Sequence, residues 1–214
     1  MSNDKQQELF DIYDDRMNRI GTATRTEAHT QGLWHATFQC WLWYEENGEV
    51  YVLFQERHPD KDTFPGLLDI SCAGHLLAGE SPEDGVRELE EELGVTCAFE
   101  ELHSCGIYAE SDEIRDGLID REYCHVYVLH SERPLASYHL QPDEVTGLYA
   151  LRLEHVKLLA SGLMLEPVRI SGVKPDESGT LVNVERLATQ EQFVPHAQSY
   201  YELVMRGIQA QRGR

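Results

Sequence analysis

The most apolar stretch runs from Trp34 to Tyr44, WHATFQCWLWY, and its aromatic and β-favouring side chains predict a long buried strand. Glu45 to Glu49 holds an Asn-Gly pair, the residues a tight hairpin turn needs, so VYVLFQER (Val50–Arg57) should be the partner strand. Upstream, ELFDIYDD and RIGTATR predict a short hairpin with Asp14, Asp15, Arg16 and Asn18 near its turn. Downstream, residues 58–66 are a polar loop ending in Phe-Pro-Gly, and residues 67–72 a short strand. Further strands are expected within 96–110, at 121–130 and at 144–153, with SDEIRDGLID as a loop or hairpin tip. A helix follows at 153–161. SGVKPDESGT (171–180) reads as an exposed, mobile turn region, and 190–211 as a closing helix starting near Pro195 or His196. Strands mixed with two or three helices predict an α/β sandwich.

The stretch between these strands carries the chemistry. GHLLAGESPEDGVRELEEELGV (74–95) places Glu88, Glu91 and Glu92 at i, i+3 and i+4, on one helical face. Ser81 is the expected N-cap, with Pro82 in the first turn and Asp84 reaching back. Val86, Leu89 and Leu93 form the stripe to be buried, Gly94 suits the left-handed C-terminal position, and Val95 closes the end. The acids should therefore be displayed while the opposite face packs. Three crowded carboxylates repel one another, and Mg²⁺ or Mn²⁺, which prefers oxygen ligands, is the natural relief.

Composition narrows the partners. The chain has 214 residues and a net charge of −20, which disfavours a nucleic acid polymer, whose phosphates are bound by Lys and Arg. A small phosphorylated substrate stays compatible, because a metal reverses the local sign. Five cysteines without a CxxC pair read as reduced thiols in a cytoplasmic protein. No apolar run approaches a membrane span, and the polar start MSNDKQQELF does not resemble a secretory signal.

Residues 74–95 resemble the Nudix box: Gly, five residues, Glu, seven residues, Arg-Glu, apolar, any, Glu-Glu, any, Gly, apolar. Here Gly74, Glu80, Arg87-Glu88, Glu91-Glu92 and Gly94-Val95 fill it, with six residues instead of seven between Glu80 and Arg87. The resemblance implies the Nudix fold, an α/β/α sandwich with a mixed β-sheet. It also implies metal-dependent attack of water on a diphosphate linkage. Glu88, Glu91 and Glu92 would hold metal, with the Gly74 carbonyl completing the shell. Arg87 would orient a neighbouring glutamate, and Glu122 would be a metal ligand or general base.

Residues 8–153 also resemble the type I isopentenyl-diphosphate isomerases, a Nudix branch, through Glu27-Ala28-His29, Leu33-Trp34-His35, Phe64-Pro65-Gly66, Gly74-His75 and Asp120-Arg121-Glu122. That likeness implies a second metal site at His29, His35, His75 and Glu122, with Asp120 at a further ligand position. It implies diphosphate contacts at Arg57 and Lys61. Two departures weigh against isomerase activity. The cysteine expected before Gly-His is Ala73, with Cys72 one place earlier, and a one-residue shift on a strand turns a side chain to the other face. The full carboxylate set is also kept.

Each of these residues has a plainer reading as well. The three histidines can be partly buried hydrogen-bonding groups, Lys61 a solvated loop residue, and Trp34, Trp41 and Trp43 core. The resulting expectation is a Nudix domain at 1–161, with 162–214 packing on it as an extension that covers part of the cleft or mediates a homodimer. The expected function is metal-dependent cleavage of a diphosphate linkage. The alternatives are isopentenyl-diphosphate isomerisation and a non-catalytic diphosphate-sensing module.

Overall fold

A computed structural model describes residues 7–213, apart from 62, 116 and 117. The first hairpin forms as the pattern predicts: β1 (Leu9–Tyr13) pairs with β2 (Arg19–Thr24), and Asp14 closes the turn by accepting from the Arg16 and Asn18 backbone. A short helix that apolar periodicity does not reveal follows, α1 (Arg25–Gln31). Its signals are local: Thr24 and Glu27 form a capping box, and Gly32 ends the helix at φ +63°.

The aromatic run becomes β3 (Trp34–Glu46), joined through Asn47-Gly48, both with positive φ, to β4 (Glu49–Arg57). The strand expected at 67–72 is broken into β5 (Leu68–Asp69) and β6 (Cys72–His75), which pair with β4 and β3. Then come α2 (Arg87–Leu93), β7 (His103–Arg115) and β8 (Leu118–His130). The last two pair antiparallel, and residues 116 and 117, within the segment expected to be a loop or hairpin tip, lie outside the described residues. β9 (Val145–Arg152) and α3 (Leu153–Ala160) follow as expected.

The 171–180 region differs from expectation. Its first half is strand: β10 (Val168–Pro175) pairs with β11 (Leu181–Ala188), leaving 176–180 as the turn. The sequence looks polar because this hairpin is the sheet's edge and meets β9 only through Ser171–Val173. The closing helix is α4 (Gln198–Arg212), preceded by a single 3-10 turn at Gln190–Gln192.

The main strand path is β11-β10-β9-β4-β3-β1-β2, and β8 lies parallel to β3. The sheet is thus mixed, with core on both faces. One face packs Trp41, Phe54, Val126 and Val128 against Tyr200, Tyr201 and Val204 of α4. The other packs Phe38, Leu42 and Leu148 against Leu89 and Leu93 of α2. α4 is also tied to β3 by Trp43 Nε1 donating to Gln211 (2.7 Å) and by the Arg212–Glu45 ion pair (2.8 Å). Among the described residues no helix is long and apolar enough to cross a membrane. The register that matters for the site is His35 beside Glu122, because it puts the polar starts of β3 and β8 together at one end of the sheet.

Candidate active site in the cleft beside the glutamate helix

A cleft of about 800 Å³ opens at that end, lined from β3, β4, β6, β8, α1, α2 and the segment before α4. The helix carrying the glutamates starts later than predicted. Asp84 does reach back, accepting from the Ser81 backbone and hydroxyl (both 2.8 Å), but 84–86 is a 3-10 turn and α2 proper begins at Arg87. Ser81 closes the turn ahead of it, its carbonyl accepting from the Asp84 N–H (3.0 Å), and caps neither element with its side chain. The C-terminus is as expected: Gly94 has φ +63°, and its N–H and that of Val95 return to Glu90 and Leu89.

The acids are not all displayed. Leu89 and Leu93 are fully buried, but so, nearly, is Glu92, at 4% exposure, and Glu88 is largely covered; only the Glu91 side chain is open, at 55%. The reason is packing: Leu89 and Leu93 face the core, and Glu92, next to them on the short helix, is covered by Ala73 and Gln55. Its carboxylate takes the Ala73 N–H (3.3 Å) and the Gln55 amide (3.5 Å). Burial pushes Glu92 up to about 8, with Glu88 adding to the rise. Burial likewise pushes Glu88 up to about 7, against the pull of Arg87 and with Glu91 adding to it. Gly74 provides the space: a methyl there would overlap the Glu88 carboxyl. Two crowded buried acids cradled by a bare Cα fit a divalent cation, whose charge would relieve their repulsion.

Arg87 organises this corner. It donates to Glu80 (3.2 and 3.1 Å), to Glu88 and to the His75 carbonyl (3.2 Å), and lies 3.5 Å from Glu91. The shortened loop therefore still brings Glu80 to Arg87. Its Oε2 also accepts the Leu77 N–H (2.7 Å).

Across the cleft, Arg57 is clamped. Its Nε and one terminal nitrogen donate to Thr63, and the other donates to Asp69 (2.7 Å). An arginine has five N–H donors, so two remain. Lys61 is paired with Glu144, which also lines the cleft.

The histidines converge as well. His29, His35 and His75 offer nitrogens within 4.8 Å of one another, and a nitrogen of His35 lies equally close to carboxylate oxygens of Asp120 and Glu122. His29 and His35 use Nδ1 on the Arg25 and Leu33 carbonyls (2.7 and 3.0 Å), which turns bare Nε2 atoms inward. His35 Nε2 and Asp120 Oδ1 are buried without a hydrogen-bond partner. Burial pushes the His35 ring down to about 4, so it is neutral and ready to coordinate. His75 differs. Arg25, a donor only, faces its Nδ1 at 3.1 Å, which puts the proton of the neutral ring on Nε2. His29, His35, Asp120 and Glu122 could hold a cation, and His75 could join them with its Nδ1 free of Arg25. Glu122 is further held by Thr37 (3.1 Å) and Gln39 (3.3 Å).

Cys72 is fully buried on the α2 side of the sheet, and Ala73 lines the cleft. Residues 72–75 pair with 40–37 without a register shift, so no bulge turns the thiol inward. Among the described residues lining the cleft there is no cysteine.

Sequence reasoning missed Asp69, Glu110, Arg25 and His196, all in the cleft wall. The one signal for Asp69 was an acid inside an apolar run, LLDIS. His196 carried none, because it reaches the site from far along the chain.

The NUDIX domain model matches residues 33–164. An uncharacterised Nudix hydrolase of Clostridium acetobutylicum is 38% identical over 203 residues, 95% of this chain and 98% of the relative. An isopentenyl-diphosphate isomerase of Mycolicibacterium vanbaalenii is 30% identical over 160 residues, 72% of this chain and 82% of that one. In architecture the chain is similar to a crystal structure of a Deinococcus radiodurans protein, with a TM-score of 0.52 at 22% identity, covering 72% of this chain and 90% of the other. With the domain model spanning most of the chain and a full-length relative, the chain belongs to the Nudix superfamily, in its isopentenyl-diphosphate isomerase-like branch.

Proposed function

We propose that this Nudix hydrolase family member cleaves a diphosphate linkage in a small phosphorylated molecule, with Mg²⁺ or Mn²⁺ bound at Glu88, Glu92 and the Gly74 carbonyl, and with Glu91 at the solvent edge. The observation that carries it is the buried Glu92 with the largely covered Glu88 beside it, in the same cleft as Arg57 and Lys61. The cation, when bound, neutralises phosphate oxygens and acidifies water. The protein's own residues do the rest. Arg57 and Lys61 bind phosphate, Lys61 exchanging Glu144 for substrate. Arg87 fixes Glu88. Glu122 takes the proton of the attacking water, oriented by Thr37 and Gln39. His29, His35 and Asp120, with Glu122, form a second cation site, and His75 is a conditional member.

The buried position of Cys72 weighs against isomerisation, since the cleft then offers no thiol to an alkene. The test is phosphate release with Mg²⁺ and with Mn²⁺. It would run over nucleoside diphosphate sugars, dinucleoside polyphosphates, nucleotide cofactors, nucleoside triphosphates and isopentenyl diphosphate, each paired with Glu88→Gln. Turnover that disappears in the variant is the expected result. Tight binding without turnover would replace it with a sensing module, and alkene isomerisation seen by NMR with an isomerase.

A further inference from the structure

Arg57 is held in place by a chain of charges that ends outside the matched Nudix segment. Its guanidinium bonds Asp69 Oδ2 at 2.7 Å, and Asp69 Oδ1 accepts from His196 Nε2 at 2.8 Å and from the Ile70 N–H at 2.8 Å. On the other side of the ring, His196 Nδ1 lies 3.6 Å from Glu110 of β7. The imidazole is buried, stacked on Tyr200 (4.8 Å between centroids) and edge-on to Tyr201, both in α4. All four charged residues of this chain line the cleft.

We propose that His196 is a positioning residue for the diphosphate site: through Asp69 it fixes the Arg57 fork, so the segment before α4 completes the phosphate-binding wall. This rests on Arg57 being a phosphate contact, as proposed above.

Asp69, a carboxylate at 5% exposure, needs its oxygens satisfied, and it has one partner set on each. Without His196, Oδ1 keeps only the Ile70 N–H. The charge of Asp69 then falls wholly on Arg57, and the carboxylate turns to use it with both oxygens. A guanidinium drawn into such a two-oxygen pair spends one of its two spare N–H groups on Asp69 and keeps only one for phosphate. His196 is held charged by its two acids, which push it up to about 10 although burial opposes this, so it keeps Asp69 ionised and half occupied at neutral pH. Arg57 is thereby aimed and not merely tethered, which is how a preorganised phosphate contact works.

The experiment measures binding of methylenediphosphonate, a non-hydrolysable diphosphate, in excess Mg²⁺ by titration calorimetry on the full chain. Arg57→Ala and His196→Ala are each expected to weaken binding about tenfold or more, the scale of one charge-assisted contact. In the double variant the losses should not multiply, because both remove the same contact. His196→Gln, which keeps a donor toward Asp69 Oδ1 and guards against a folding failure of the alanine variant, should recover most of the loss. If Arg57→Ala weakens binding while His196→Ala and His196→Gln leave it unchanged, or if the losses multiply fully, positioning is overturned and the phosphate reading stands. If Arg57→Ala binds like the wild type, or the wild type does not bind the probe, the phosphate role of Arg57 falls and the inference with it.

Discussion

Glu88 lies directly against Gly74, so closely that the Cβ of any other residue would overlap its carboxyl. The glycine of the box is therefore a seat for the first glutamate of the helix. Gly74→Ala should push the Glu88 carboxyl out of line with Glu92. The displaced group is the end of a long side chain, so folding should suffer little. Turnover should fall on the order of a hundredfold, the scale of a catalytic group misplaced by an ångström. Initial rates and urea midpoints on the same samples check this; a large midpoint shift would mean that the clash is relieved through the backbone.

Glu92 is a buried acid beside another, which costs stability when no cation is bound. Glu92→Gln keeps the shape and removes the charge. The metal-free variant should be more stable than the wild type by about 1 kcal/mol, the order expected for relieving a desolvated like-charge contact. Added Mg²⁺ should raise the wild-type melting temperature more than that of the variant, which keeps the second cation site but loses one ligand of the first. Thermal melts with and without Mg²⁺ decide it, and a variant less stable in the absence of metal would contradict the repulsion argument.

His196 also sets a pH dependence. Its ring is pushed up from 6.5 to about 10, by Asp69 and Glu110 against the opposing effect of burial. A raised value means stability that is full below pH 6.5 and is lost as pH rises through about 10. Asp69 works oppositely. Burial would raise it, but His196, Arg57 and the Ile70 N–H hold it well below 3.8, so its contribution is present above pH 3.8 and lost in stronger acid. Tyr200 and Tyr201 pack on the ring, and Asp112 and Arg57 are the further charges nearby. Between pH 6.5 and 10 the wild type should lose up to about 1.4 kcal/mol per pH unit more than His196→Gln, the slope for one proton. Urea unfolding across that window measures it, and titration near 6.5 of the ring signal that His196→Gln removes would refute the buried ion-pair account.

What could be read from the sequence was whatever is local. The Asn47-Gly48 turn, the Leu89–Leu93 stripe and the Gly94 stop are decided by residues within a turn of one another. The fates of β10 and β11 were not local. Their polar look hides Lys174 and Arg186 gripping the buried Glu56 at 2.6 and 2.8 Å, from a strand more than a hundred residues earlier. The same holds for the cleft. Glu88 and Glu92 were legible as a spacing, but their burial depends on which walls meet the short helix. Asp69 and His196 are 127 residues apart and no periodicity links them.

The last prediction concerns Glu122 and the helix that braces it from behind. Tyr200 is fully buried. Its hydroxyl donates to Gln39 Oε1 at 2.6 Å and accepts from Trp41 Nε1 at 3.0 Å, while Gln39 Nε2 donates to Glu122 at 3.3 Å. Tyr200→Phe keeps the ring and deletes the joint. Trp41 Nε1 and Gln39 Oε1 lose their partner inside the core, which should cost about 1–3 kcal/mol. Gln39 is then free to rotate, and Glu122 loses one of the two donors that aim it, keeping only Thr37. Turnover should drop about tenfold at temperatures where the variant is still folded, since a general base works only when held in reach of its proton. Tyr201→Phe is the control: that hydroxyl reaches only the Val194 carbonyl, at 3.4 Å, and is not linked to Glu122. If both variants lose rate equally, the effect is a loosened helix. If Tyr200→Phe alone loses rate, the hydrogen-bond path from α4 to Glu122 carries it.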